Sequence, residues 1–419
     1  MTALGSPIKP DIAMVPPDHP DRLAILRPGL GGWCLAAYAF LIPAQFAVGD
    51  LLRAAPSDLF LFGYLLLRLR NVSVRRSTWT SWHGLIVLSL AIGNTVAALH
   101  DQLTLYAVVN KGIGALTLFA AYLCLVDFCH NIERVIWLCR AFLWGVLVNL
   151  VLALAALYAS TSGFLNLSFI NFAGVRLAGL LIDPNAFGGL LVAAIALHFL
   201  PRAAGLEIVT GVAGRILSIA LPIGLILTFS RSAWIGGGVA IVIGIWRLGY
   251  RFLRSIVIVG GVLALVAVLA TAVVFPNAAG LINRNEQVDG RVTILQDAFN
   301  DFSTDPITGI GVGVSIQRNG IQIHNTTMWF LTELGPLGLI SLLGLVFAFA
   351  ARAGRLARSR DPLVRALGVG LLGAHVGMYG VSMGIDAFYQ RYWWMVFAFI
   401  AALAAQRDGA NGIGSRQGG

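Results

Sequence analysis

Apolar residues along this chain gather into long runs separated by short polar linkers, at 30–48, 57–69, 81–99, 105–126, 135–158, 186–200, 215–229, 232–248, 254–275, 327–350, 364–383 and 389–406. A helix that crosses a bilayer needs about 20 predominantly apolar residues. Inside lipid the backbone must satisfy its own hydrogen bonds, so such runs predict helices rather than isolated strands. A membrane barrel would instead alternate apolar and polar positions over short segments. The expectation is an all-α, polytopic membrane protein with about twelve transmembrane helices over 29–407. Runs two, six and seven are short enough to tilt or to begin in the interface.

Polar sequence accumulates in two places, 159–185 and 276–326. Within the second, Val292, Leu295, Phe299 and Phe302 recur at helical spacing, with Asp297, Asn300 and Asp301 on other faces. This predicts an amphipathic helix over 291–302 lying on the bilayer surface. A connection this long with a helical pattern of its own is usually functional.

Composition agrees: 58% of the 419 residues are hydrophobic and 11% charged, against about a quarter charged in soluble domains. The net charge of +10 is almost all arginine, since Lys9 and Lys111 are the only lysines. In a soluble protein this balance would raise nucleic-acid binding, but no stacking platform or basic repeat accompanies it, so no nucleic-acid partner is expected. Arginines cluster instead in the linkers 68–76, 247–254 and 352–365. With the expected helix count these share one side, which the positive-inside rule makes cytoplasmic. Both termini then face the cytoplasm: the proline-rich stretch 1–28, read as a disordered tail without signal-peptide order, and a tail at 408–419. The 276–326 loop falls outside. Cys34, Cys124, Cys129 and Cys139 match no zinc or redox spacing and read as buried small hydrophobes.

The external side holds few chemically capable residues. Arg231, in Thr228-Phe229-Ser230-Arg231-Ser232-Ala233-Trp234, sits on the side that should be poor in arginine. It either ties down a helical hairpin or clamps an anion, since a guanidinium fork suits phosphate oxygens. Arg291 follows Asp289-Gly290 and opens the amphipathic helix. There it strengthens a helix N-terminus for anions, or snorkels as an anchor. His324 and Asn325 precede a long apolar helix. His324 is placed for general-base work or serves as an interfacial or capping residue. Asp183 or Asn185 can cap the helix that follows, with Pro184 in its first turn. Glu333 falls inside the membrane and must face protein. Asp386 and Arg391 flank the last external turn, where a pair between them is expected. The Gly309, Gly311 and Gly313 cluster has the wrong context for a nucleotide loop.

Together these stretches resemble the O-antigen ligase superfamily, which also includes polysaccharide polymerases and protein O-oligosaccharyltransferases. The likeness lies in 228–234, in Gly290-Arg291 with the helix and Asp305-Pro306 that follow, and in Asp183-Pro184-Asn185. It is strongest in His324-Asn325 followed, after nine residues, by Gly335-Pro336-Leu337-Gly338. The sequence departs from the family where an aromatic often follows the second arginine; Thr293, Ile294 and Leu295 stand here.

The resemblance implies a C-type glycosyltransferase-like fold and metal-independent, cofactor-free transfer of a glycan from undecaprenyl diphosphate at the periplasmic face of the bacterial inner membrane. It implies Arg231, Arg291 and His324 as catalytic residues, the arginines holding the diphosphate, and Asn325, Asp183 and Asn185 as further substrate-binding residues. The histidine–glycine spacing favours a ligase with lipid A–core as acceptor. A polymerase acting on a second lipid-linked glycan competes within the family, and transfer to a protein serine ranks lower. A lipid-linked glycan transporter is the alternative of another class, disfavoured because these residues crowd one face and the later half of the chain.

Overall fold

The computed structural model describes residues 28–48, 52–68, 78–161, 176–181, 183–249 and 285–414. The expected span at 254–275, the tail to residue 27, much of the 159–185 segment and the arginines between 69 and 77 lie outside them. The described residues form 13 α-helices. In chain order these are α1 (Gly29–Leu41), α2 (Pro56–Arg68), α3 (Ser81–Leu99), α4 (Gly114–Phe128), α5 (Ile132–Thr161), α6 (Pro184–Ala203) and α7 (Gly211–Leu227). There follow α8 (Arg231–Leu248), α9 (Asn285–Thr304), α10 (Val314–Asn319), α11 (Thr326–Leu356), α12 (Pro362–Ser382) and α13 (Arg391–Gly414). Six segments among the described residues are long and apolar enough to cross a membrane: Ser81–Leu99, Ala107–Phe128, Ile132–Ala159, Pro184–Ala203, Thr326–Leu356 and Pro362–Ser382. The protein is a polytopic, all-α membrane protein.

Three elements differ from the sequence expectation. The first apolar run stops being helical at Leu41, and two short strands, β1 (Phe46–Val48) and β2 (Leu52–Ala54), pair antiparallel. Asn149 of α5 holds the chain before this hairpin, donating from Nδ2 to Pro43 O and accepting at Oδ1 from Leu180 N–H. The fourth run opens with a π-helix, Ala107–Ile113. The amphipathic helix begins at Asn285, not at 291. Arg291 therefore stands in its second turn and does not form its N-terminus, because the polar residues ahead of Gly290 continue the helix.

At the centre, α12 lies against both α6 and α8. Glycine permits the contact: a Cβ on Gly236 would come within 2.5 Å of Gly377 O. Small residues at crossings allow such close backbone approach where lipid supplies no hydrophobic drive between helices. Around α13, Trp393, Trp394, Phe397 and Phe399 are buried, and Trp394 packs edge-on to Phe119 at 4.8 Å between centroids. The cysteines carry no disulfide; three are buried and Cys34 is half-buried.

Arginines gather at one end of this bundle. Arg247 donates to Ala357 O at 2.8 Å, Arg352 to Thr78 O at 3.3 Å, and Arg407 to Arg355 O at 2.9 Å. Arg231 lies at the opposite end of α8 from Arg247, about 24 Å away at the helical rise of ~1.5 Å per residue.

The kink in α11 organises the other end. Pro336 has no N–H, so the carbonyl of Thr332 has no partner in its own helix. Ile310 N–H donates to it at 3.0 Å, and Gly311 N–H donates to Glu333 O at 3.1 Å. The Glu333 carboxylate, buried as expected of it, accepts from Gly313 N–H at 2.7 Å. The glycine cluster is thus a plug that caps a broken helix. Gly335 has φ 67° and ψ −168°, a conformation open to glycine alone. A Cβ there would sit 2.7 Å from Ile307 O. Gly335→Ala should cost about 2 kcal/mol or more and lower the melting temperature of detergent-purified protein. Gly354→Ala, where nothing lies within 4 Å, should melt as the parent does.

Candidate active site

Two helix starts meet beside α8. Asp183 caps α6, accepting from Asn185 N–H at 2.9 Å and from Asn185 Nδ2 at 3.1 Å, with Pro184 at the first position. The α7–α8 turn passes through Phe229 at φ 47°, and Ser230 caps α8 by accepting from Ala233 N–H. Arg231 is the first residue of α8 and is exposed. Arg176 ties the two starts together. Its Nε donates to Thr228 O at 2.9 Å and its Nη2 to Asn185 Oδ1 at 3.1 Å. Sequence reasoning passed over Arg176, whose partners lie 9 and 52 residues away and carry no local signature.

Arg291 approaches from α9. That helix rests on α11 through buried Ala298 and a hydrogen bond from Thr332 Oγ1 to Ala298 O at 3.0 Å. Val292 and Phe299 of the predicted apolar stripe remain exposed. A Cβ built on Gly384 would lie 2.6 Å from Ser232 Cβ and 3.5 Å from Arg291 Nη1. The absence of a side chain at Gly384 therefore lets the first turn of α8 and the Arg291 guanidinium occupy one location.

The same turn receives the His324 segment. Asn325 caps α11 by accepting from Met328 N–H at 3.0 Å, and its Nδ2 donates to Met383 O at 3.1 Å. Thr326 Oγ1 donates to Ile385 O at 2.9 Å and accepts from Ala387 N–H at 2.8 Å. Gln322 Nε2 donates to Asp386 Oδ2 at 2.9 Å. His324, exposed, is held between residues clamped on 383–387. The three sequence stretches thus converge on one turn, with Arg231 and Arg291 exposed beside it.

The expected Asp386–Arg391 pair does not form. Asp386 pairs with Lys111 at 2.5 Å, and Arg391 makes a two-pronged pair with Asp58 at 2.8 and 2.5 Å. The turn between them points their side chains to different helices. Lys111 was legible as an ionisable residue inside an apolar run; its partner, 275 positions away, was not. Among the described residues no group of three or more His, Cys, Asp or Glu side chains is placed to hold a metal ion.

Chemically, two guanidinium groups beside the N-terminus of α8 suit an anion with several oxygens, such as a diphosphate. Residues 216–343 match the O-antigen ligase family. The chain carries an O-antigen ligase family domain. The match spans Arg231, Arg291, His324 and Asn325 and leaves Arg176, Asp183, Asn185 and the 383–387 turn outside. A search of curated proteins finds no match.

If Gly384 sets the position of Arg291, Gly384→Val should displace it. Calorimetric affinity for inorganic pyrophosphate is expected to fall about tenfold or more, the loss of one charge-assisted contact. Gly238→Ala, with open space around it, should bind as the parent does. Unchanged binding by Gly384→Val would refute this packing role.

Proposed function

We propose that the protein transfers a glycan from undecaprenyl diphosphate to an acceptor hydroxyl, with lipid A–core as the acceptor. Membership of the O-antigen ligase family already implies lipid-linked glycan transfer of the ligase or polymerase type. The observation that carries the finer reading is the convergence of Arg291, the first turn of α8 and the His324 segment on residues 383–387.

The donor brings its own leaving group, a lipid diphosphate, so the site needs charge stabilisation more than acid catalysis. Arg231 and Arg291 meet the negative charge that develops as the bond from the anomeric carbon to the phosphate oxygen breaks. His324 accepts the proton of the acceptor hydroxyl as its oxygen bonds to the anomeric carbon. The electron pair of the broken bond leaves with undecaprenyl diphosphate. Direct displacement inverts the anomeric configuration and requires no metal. The supporting framework is Arg176 with Asp183 and Asn185, which fix the α8 start, and Asn325, which fixes the His324 segment; Asp183, Asn185 and Asn325 also border the substrate.

The arginine-rich end of the bundle is cytoplasmic by the positive-inside rule. That puts the site at the periplasmic face of the bacterial inner membrane, where the polyprenyl tail can remain in lipid. The histidine–glycine spacing from His324 to Gly335 supports lipid A–core over a second lipid-linked glycan.

The test uses detergent-purified protein, undecaprenyl diphosphate-linked glycan and lipid A–core, with EDTA present. Glycan should appear on lipid A–core, and Arg231→Ala and His324→Ala should each slow transfer by about 10²–10⁴. Chains that lengthen on the donor alone would replace the ligase assignment with polymerase. Transport of donor across liposomes without any new glycosidic bond would overturn both.

A further inference from the structure

A buried cation grips the turn on which the candidate site converges. Lys111 belongs to the π-helix Ala107–Ile113, inside a segment apolar enough to cross a membrane. Its side chain is 4% exposed and that of Asp386 6%, and the ammonium donates to Asp386 Oδ2. Trp329, in the first turn of α11, and Tyr389 enclose the ammonium, with ring centroids at 4.4 and 4.5 Å. Tyr389 Oη in turn donates to Lys111 O at 3.3 Å. The Glu333 carboxylate of α11 lies within electrostatic reach of the same ammonium. A compact point charge on a flexible stem suits this enclosure better than a planar guanidinium would.

Stability alone does not explain the pair. Two charges at membrane depth are costly to desolvate, and well-packed apolar side chains of similar volume often do as well or better. What an ion pair adds to apolar contact is a single defined partner, and buried polar pairs are best attested as devices that fix register. The partner here is Asp386, inside the 383–387 turn. The π-helix that presents Lys111 is itself an irregularity of the kind that recurs at functional sites.

His324 is fastened to that turn on both sides. Ahead of it, Gln322 Nε2 donates to Asp386 Oδ2 at 2.9 Å, so one carboxylate oxygen joins Lys111 to a residue two positions from the histidine. Behind it, Asn325 Nδ2 donates to Met383 O, and Thr326 Oγ1 bonds both Ile385 O and Ala387 N–H. The turn is in turn tied to the π-helix, 275 positions away, by Lys111. A shift of the turn would carry the histidine with it, and a misplacement of ~1 Å can cost about 10²-fold in rate.

We propose that Lys111 is a positioning residue for glycan transfer: through Asp386 it fixes the 383–387 turn, and through the turn it fixes His324 at the acceptor hydroxyl. Lys111 acts on the turn and not on the substrate. The proposal rests on the reading of His324 as the base of the transfer reaction.

The test uses full-length protein in detergent. Lys111→Met leaves Asp386 buried and unpaired and should lower the melting temperature. Lys111→Met with Asp386→Asn removes both charges, keeps a carbonyl acceptor for Gln322, and should melt within about 5 °C of the parent. This double variant should nevertheless transfer glycan about ten- to a hundredfold more slowly at saturating substrate. Added to His324→Ala, the same two changes should slow the residual transfer by less than about twofold, because residues that act as a unit are not additive. A purely structural pair would cost the same factor in both backgrounds. Hydrogen exchange over 383–390, which includes the Ala387 N–H bonded to Thr326, needs no transfer. It should quicken about tenfold in the double variant, with α3 unchanged. Quickened exchange in a protein whose parent transfers no glycan would refute the transfer reading and leave the hold of Lys111 on the turn standing. Parent-like transfer by the double variant, an equal loss in the His324→Ala background, or unchanged exchange overturns the proposal.

Discussion

Two carbonyls of α11, those of Thr332 and Glu333, accept hydrogen bonds from another part of the chain, and the site's geometry follows from that exchange. Pro336 denies Thr332 its helical partner, and Gly335 turns the helix out of line. In a membrane no water is at hand to satisfy the exposed groups. The chain supplies Ile310 and Gly311 instead. This docks the 305–313 loop and, through Thr332 and Ala298, seats α9 on α11. Arg291 on α9 and His324 ahead of α11 are thereby set in fixed relation, although 32 residues separate their positions along the chain.

The second constraint is electrostatic. Charge is rare in this protein, and its distribution is divided by end. Arg247, Arg352 and Arg407 bond to carbonyls at one end of the bundle. At the other, some charges are paired and enclosed, as with Lys111 and Asp386, and others are exposed, as with Arg231 and Arg291. The enclosed pairs satisfy one another; the exposed guanidiniums suit an anion.

The sequence was most legible where one residue's chemistry conflicted with its surroundings. Arg231 stood on the arginine-poor side, Glu333 inside an apolar run, and His324-Asn325 just before a helix; each is at a junction of the structure. The glycine cluster at 309–313 carried a strong pattern whose purpose was hidden, because it caps a kink some 20 residues later. The assigned start of the amphipathic helix failed because Gly290 resembled a boundary, whereas the helix continues through it from Asn285. The Asp386–Arg391 assignment failed because nearness in sequence across a turn does not give side chains a common direction.

Amphipathic period and run length determined by themselves that this is a polytopic helical membrane protein, because the bilayer leaves the backbone almost no other choice. Loop arginines and the motif residues also indicated which end to search. Tertiary structure alone decided that Arg176 bridges two helix starts, that Gly384 admits Arg291 beside Ser232, and that Lys111 meets Asp386. These contacts join positions tens to hundreds of residues apart, and helix packing, which no local pattern encodes, brings them within hydrogen-bonding distance.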